Sequence, residues 1–181
     1  MAALWRLGKG VSIEEIGEKR YIFIFFHSVD VNRVLDYGPW LFDKNMIALR
    51  AIKPRDIPLK VLLDTVELWV HVHNVTYSHD NLGTARRIGN YLGEFVRWDD
   101  TQFGGKWESY MRVRVRMNVT KPLKVETILM NGKGEGYWVA FKYEKLPSLC
   151  FCCGVIGHVE KYCLLYEKGD QALTRPYSSW L

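Results

Sequence analysis

No cysteine precedes residue 150 in this 181-residue chain, and no apolar run is long enough to span a membrane. The first absence excludes a secreted scaffold stapled by disulfides, whose cysteines would be spread through the fold. The opening Met1-Ala2-Ala3-Leu4-Trp5-Arg6 lacks the apolar core of a signal peptide. An intracellular location, in nucleus or cytoplasm, is therefore expected. The acceptor patterns Asn74-Val75-Thr76 and Asn118-Val119-Thr120 are then not expected to carry sugar. Patterns for catalysis are missing as well: there is no Ser-His-Asp arrangement, no phosphate-cradling glycine loop and no carboxylate pair in a recognisable motif. Gly132-Lys133-Gly134-Glu135-Gly136 is too short for a nucleotide loop and reads as the tip of a hairpin. An enzyme is not expected.

Hydrophobic residues make up 48% of the chain and aromatic residues 14%, enough for a packed core, which excludes wholesale disorder. The net charge of +5 suits a nucleic-acid partner without requiring one. Basic residues gather in the middle, at Arg86, Arg87, Arg97, Arg112, Arg114, Arg116, Lys121 and Lys124, while Glu14, Glu15 and Glu18 form an acidic cluster near the start.

All four cysteines fall between residues 150 and 163. Cys150, Cys153, His158 and Cys163 stand in the pattern C-x2-C-x4-H-x4-C. Three thiolates and one imidazole give zinc a closed tetrahedral shell with no position left for water or substrate, so the ion is structural. Disulfides or unmetallated thiols are the alternative, and the four-ligand spacing favours the metal. Gly154 and Gly157 suit a chain wrapped tightly around an ion, where positive φ or close backbone approach is needed. Cys152 breaks the ligand spacing and reads as a free thiol pointing away from the metal, or else as a competing ligand. The segment resembles the zinc knuckle of retroviruses and retrotransposons, also in its non-ligand residues Phe151 and Val159. The resemblance implies that these two line a cleft for an unpaired base, often guanine. Aromatic stacking of that kind contributes about 1–3 kcal/mol per base.

Before the knuckle, strand and helix patterns alternate. Tyr21–Phe26 is a continuous apolar run, read as a buried strand; Ser28–Asp36 follows as a helix capped by Ser28 or Asp30 and ended by Gly38-Pro39; Met46–Ile52 reads as another strand. Lys53–Pro58 is a proline-bounded connector. Val66–His73 alternates as a half-buried strand, Asp80 or Asn81 caps a helix through Ala85, Ile88 and Leu92 to Gly93, and Phe95–Trp98 is a short strand. Tyr110–Val119 is the clearest strand, and Thr127–Met130 with Tyr137–Tyr143 forms a hairpin. Strand, helix, strand, strand with antiparallel hairpins predicts an open-faced α+β sandwich. Pro147 marks the joint to the zinc module.

Several of these pieces resemble a plant domain of unknown function that precedes a zinc knuckle in proteins derived from LINE-type retrotransposons. They are Phe23-Ile24-Phe25-Phe26 followed by Asp30, Arg33-Val34-Leu35, Gly38-Pro39-Trp40, Leu68-Trp69-Val70, Arg112-Val113-Arg114-Val115, Thr120-Lys121-Pro122-Leu123 and Tyr143-Glu144-Lys145-Leu146-Pro147. The resemblance implies an α+β, RNA-recognition-like domain over residues 1–146, with an open antiparallel sheet and helices on one side. A knuckle over 147–166 and a tail over 167–181 follow. It also implies flanking sequence beyond both ends, so the chain is expected to be a fragment.

Arg112, Arg114 and Arg116 alternate and share one strand face, which suits either a positive stripe along a phosphate backbone or a solvated face paired with nearby acids. No aromatic residue lies between Met111 and Val119, so base stacking on this strand is not expected. His71 and His73 share a face without a third ligand and read as ordinary strand histidines. Trp40, Trp69, Trp98, Trp107 and Trp138 read as core residues at strand edges or turns. Taken together, these features predict a zinc-dependent binder of single-stranded nucleic acid. RNA is favoured over duplex DNA because knuckles grip splayed bases and nothing here offers a major-groove helix. The rival is a protein-interaction or self-assembly module in which zinc is purely structural.

Overall fold

The molecule, a computed structural model, is described for residues 2–100, 110–131, 133–165 and 177. It divides into two compact units, Met1–Asp64 and Thr65–Leu181. This division falls inside the region read from sequence as a single α+β domain.

The first unit holds a short helix α1 (Ala2–Trp5), a hairpin of β1 (Val11–Gly17) and β2 (Arg20–Phe25), helix α2 (Ser28–Tyr37), and a small hairpin of β3 (Trp40–Phe42) and β4 (Asn45–Ile47). Trp5 and Val34 are its buried apolar residues, with the Trp5 ring edge-on to Phe23 at 4.9 Å. The cap of α2 is His27, whose Nδ1 accepts from the Val29 amide at 3.1 Å. Asp30, an expected cap, is engaged elsewhere. Its carboxylate accepts from the amides of Gly8 and Lys9, both at 3.1 Å, and those bonds hold it below the ordinary carboxylate range. The apolar run at Tyr21–Phe26 is not a buried strand. Paired with β1 alone, it leaves Tyr21, Ile24 and Phe26 exposed. The strand expected over 46–52 is confined to β4, because its partner β3 is only three residues long.

The second unit is built on β5 (Thr65–His73), α3 (Leu82–Leu92), β6 (Glu94–Trp98), β7 (Tyr110–Asn118), β8 (Glu126–Met130) and β9 (Gly136–Tyr143). The strands form one antiparallel sheet in the order β6-β7-β5-β9-β8. Strict alternation along β5 buries Val66, Leu68, Val70 and Val72, and the register brings Met111, Val113, Val115 and Met117 of β7 beside them. Phe141 and Val139 of β9 complete this core. Helix α3 packs on β6 and β7, burying Ala85, Ile88 and Leu92 at helical spacing. Asn81 caps it as expected, its Oδ1 accepting from the Thr84 amide at 3.0 Å. Gly89 permits the close approach, since a Cβ there would lie 2.7 Å from the Phe95 side chain. The opposite face carries Glu67, Trp69, His71 and His73 on β5 and Arg112, Arg114 and Arg116 on β7. The protein is thus an α+β structure of few helices and mainly antiparallel sheets, with a Cys/His cluster near the C-terminal end.

Candidate metal centre

The segment after β9 turns back on itself through an isolated bridge between Leu149 and Ile156. Inside that turn the Cys150 amide donates to the Val155 carbonyl at 3.1 Å, and the Gly154 amide donates to the Cys150 carbonyl at 2.8 Å. Gly154 and Gly157 take φ of 72° and 102°, as a wrapped loop requires. A short 3-10 turn over Glu160–Tyr162 then delivers Cys163, whose amide donates to the Glu160 carbonyl at 2.9 Å.

These turns bring Cys150, Cys153, His158 and Cys163 together, with all four ligand atoms within 4.8 Å of one another. Cys153 Sγ and His158 Nε2 are 3.4 Å apart. Zinc bonds of about 2.3 Å to sulfur and 2.0 Å to nitrogen give a tetrahedral edge of about 3.5 Å between such donors. The donor set and the spacing therefore fit a closed structural zinc site. Burial, followed by neighbouring sulfurs, pushes the Cys153 thiol up to about 11 when no cation is present. A divalent cation reverses that preference, because it supplies the positive charge the sulfurs lack. The core of this segment consists of cysteines alone, Cys150, Cys152 and Cys163 with Cys153 against them. Beyond the cysteines, its apolar support amounts to the buried Leu149 and the contacts of Gly154 with Leu123 and Tyr177.

Cys152 stands outside the four-ligand cluster but does not face solvent. It is buried beside Cys150 and Cys163, and burial raises its thiol pKa first, with those sulfurs adding to the effect. Of the two residues expected to line a base cleft, Phe151 is partly exposed and Val159 is 43% exposed. The knuckle is also tied to the sheet unit. The buried Leu123 donates its amide to the Gly154 carbonyl at 2.9 Å, and a Cβ on Gly154 would lie 2.1 Å from the Tyr177 ring. Sequence places Leu123 only in a family-like segment and gives Tyr177 no role, since only the fold brings them to the knuckle.

The arginine-bearing strand resolves between its two readings. Arg112 donates to Asp99 at 2.6 Å and to both oxygens of Glu144 at 2.6 and 3.0 Å, with its guanidinium 3.9 Å from the Trp69 ring centre. Arg114 is 1% exposed and pairs with Glu67 at 2.9 Å. Arg116 bridges Glu67 and Glu94, both at 2.8 Å, and is 42% exposed. Each arginine faces a carboxylate, and Arg114 is closed off from any phosphate. The stripe is a ladder of ion pairs across three strands. Its acids, Glu67, Glu94, Asp99 and Glu144, are not named by sequence because only the β5–β7, β6–β7 and β5–β9 registers bring them to the arginines. His71 joins the ladder, its Nε2 2.6 Å from Glu144 and its ring stacked on Tyr110 at 4.0 Å. Of the tryptophans, Trp40, Trp69 and Trp98 are partly buried and Trp138 is exposed; Trp107 lies outside the described residues.

Glu144 makes this ladder sensitive to acid. Burial works against its charge, but Arg112 and His71 outweigh it and hold the carboxyl below its ordinary value of 4.5. Its pairing stabilises the fold fully above the unfolded carboxylate value, and that contribution is lost as pH falls through the lowered folded value. Urea titrations should show stability of the second unit declining below about pH 5. Glu144→Gln should make that decline shallower.

Comparison with known proteins agrees with the order of parts. A domain of unknown function (DUF4283) matches residues 1–58, and a zinc knuckle matches residues 117–165. The chain thus carries a DUF4283 region followed by a CCHC zinc knuckle. Uncharacterized protein At4g02000 of Arabidopsis thaliana is 26% identical over 137 residues, covering 75% of this chain and 43% of that protein's length. The chain therefore spans less than half of that relative. No solved structure matches. Among the described residues, no helix is long and apolar enough to cross a membrane.

Proposed function

We propose that this chain is a non-enzymatic, zinc-dependent binder of single-stranded nucleic acid, with RNA as its preferred ligand, working inside the cell and derived from a LINE-type retrotransposon. The observation that carries this reading is the closed Cys150, Cys153, His158, Cys163 cluster with Phe151 and Val159 presented at its surface. A full ligand shell leaves the ion no reactive position, so its role is to shape the loop that displays those side chains. Two apolar groups held at the surface by a metal offer an unpaired base a stacking face and a methyl contact. The sheet supports the same reading. The chain order β5, α3, β6, β7, β8, β9, with β6-β7-β5-β9 side by side and β8 added at the edge, is compatible with an RNA-recognition-like arrangement that lacks a second helix among the described residues.

Binding of short single-stranded oligonucleotides tests this. Phe151→Ala should weaken affinity roughly ten- to hundredfold, the equivalent of about 1–3 kcal/mol of stacking, while zinc content stays the same because phenylalanine is not a ligand. Val159→Ala should do likewise but less. Both losses should be largest for strands with unpaired guanine. Parental affinity in zinc-loaded Phe151→Ala would contradict the proposal.

A second reading, self-association or protein docking, draws on the first unit, where Ile24, Phe26, Val29, Tyr37 and Phe42 are all exposed. Association indifferent to added RNA would favour it.

A further inference from the structure

The knuckle reading leaves the exposed ring of Trp138 without a use. Along β9, Val139, Phe141 and Tyr143 are buried in the core, so Trp138, Ala140 and Lys142 point to the opposite face. A tryptophan on a sheet is ordinarily covered, yet Trp138 is 57% exposed, and its cross-strand partner Ile128 is also half in water. Between Trp138 and the exposed Lys142 stands the small side chain of Ala140, which leaves a low floor walled by His73, its partner on β5. From Trp138 to Lys142 the strand rises about 13 Å.

Resting on the proposed binding of single strands, the geometry points to a second nucleic-acid contact on the exposed part of the sheet face at β9: Trp138 stacks an unpaired base and Lys142 meets a phosphate further along the same strand. The charge pattern selects this occupant over a protein. Arg112, Arg114 and Arg116 are neutralised by their carboxylates. Lys142, by contrast, has no carboxylate partner among the described residues, although Glu126 stands opposite Ala140 on the same face. An exposed π-face and an exposed cation without a described carboxylate partner, on one strand, form the combination that single-strand grooves use, because every base has a face to stack and every phosphate a charge. The stacking ring stands on β9, not on β7, whose residues between Met111 and Val119 include no aromatic.

The test uses the zinc-loaded chain with labelled single-stranded RNAs of 4 and 12 nucleotides, read by fluorescence anisotropy. The shorter strand suffices for the knuckle and the longer one reaches both contacts. Trp138→Ala is expected to weaken the 12-mer roughly tenfold or more and to leave the 4-mer unchanged, while Trp138→Phe keeps most of the affinity. Lys142→Gln should lower the salt slope for the 12-mer by about 0.7. Since Trp138 and Lys142 lie outside the core, circular dichroism of each variant should match the parent. The inference is overturned if Trp138→Ala and Lys142→Gln bind the 12-mer with parental affinity and salt slope, or if Trp138→Ala alters only the oligomeric state. Loss with Phe151→Ala but not with Trp138→Ala removes this contact and leaves the knuckle; loss with Trp138→Ala but not with Phe151→Ala does the reverse.

Discussion

Cys163→Ser is expected to abolish metal binding and unfold the knuckle while the five-stranded sheet persists. Cys163 is one of two ligands buried almost completely, and the loop around it is held by a few turn hydrogen bonds and a small core of cysteines beside Leu149. Structural zinc in such a loop stabilises it by about 10–16 kcal/mol, so no local contact can replace the ion. The sheet has its own support, since Leu68, Val70, Val113, Val115 and Phe141 form a fully buried core on β5, β7 and β9. Its loss is confined to the edge where Leu123 donates to Gly154. Metal analysis should show one zinc per parent chain and none in the variant. Amide exchange should remain slow across β5 and β7 and become fast from Ser148 onward. Full zinc content in Cys163→Ser would show that the four ligands are misassigned.

Glu67→Ala is the second change with a large expected effect. Glu67 accepts from Arg114, which is buried, and from Arg116, which is partly exposed. Removing it takes one carboxylate away from the buried Arg114 and from Arg116 at once. Breaking a buried pair from one side costs about 3–5 kcal/mol, and the partial exposure of Glu67 places this case near 3. Replacing both partners is a different matter, because an apolar pair of similar volume needs no desolvation compensated. Glu67→Leu with Arg114→Met should therefore recover most of the loss in urea denaturation. If the double variant is no better than Glu67→Ala, the cost lies in shape and not in the lost Arg114–Glu67 pairing.

What could be read from sequence was local. The four metal ligands lie within one short segment, so ligand chemistry and spacing identify them without knowledge of the fold. Helix α3 was legible for the same reason: the Ala85–Ile88–Leu92 period lies within it, and Asn81 and Gly93 stand directly at its two ends. The alternation of Val66–His73 likewise announced β5. The ion-pair ladder was not legible, because Glu67 meets Arg116 and His71 meets Arg112 only through the β5–β7 register, more than forty residues apart in the first case and in the second. Competition hid the cap of α2: Asp30 has the right chemistry but its carboxylate is taken by the amides of Gly8 and Lys9. Residue type misled at Trp138, read as core although its strand position turns it outward. The apolar Tyr21–Phe26 run misled in the same way, since a two-stranded hairpin leaves one face open.

The central claim is that a zinc-ordered knuckle binds unpaired bases. The most direct measurement is the Kd of the full chain for a guanine-containing single-stranded RNA, taken with zinc bound, after zinc chelation, and after zinc is restored. The account predicts that chelation weakens binding roughly tenfold or more and that added zinc recovers it. An unchanged Kd in the zinc-free protein would contradict it.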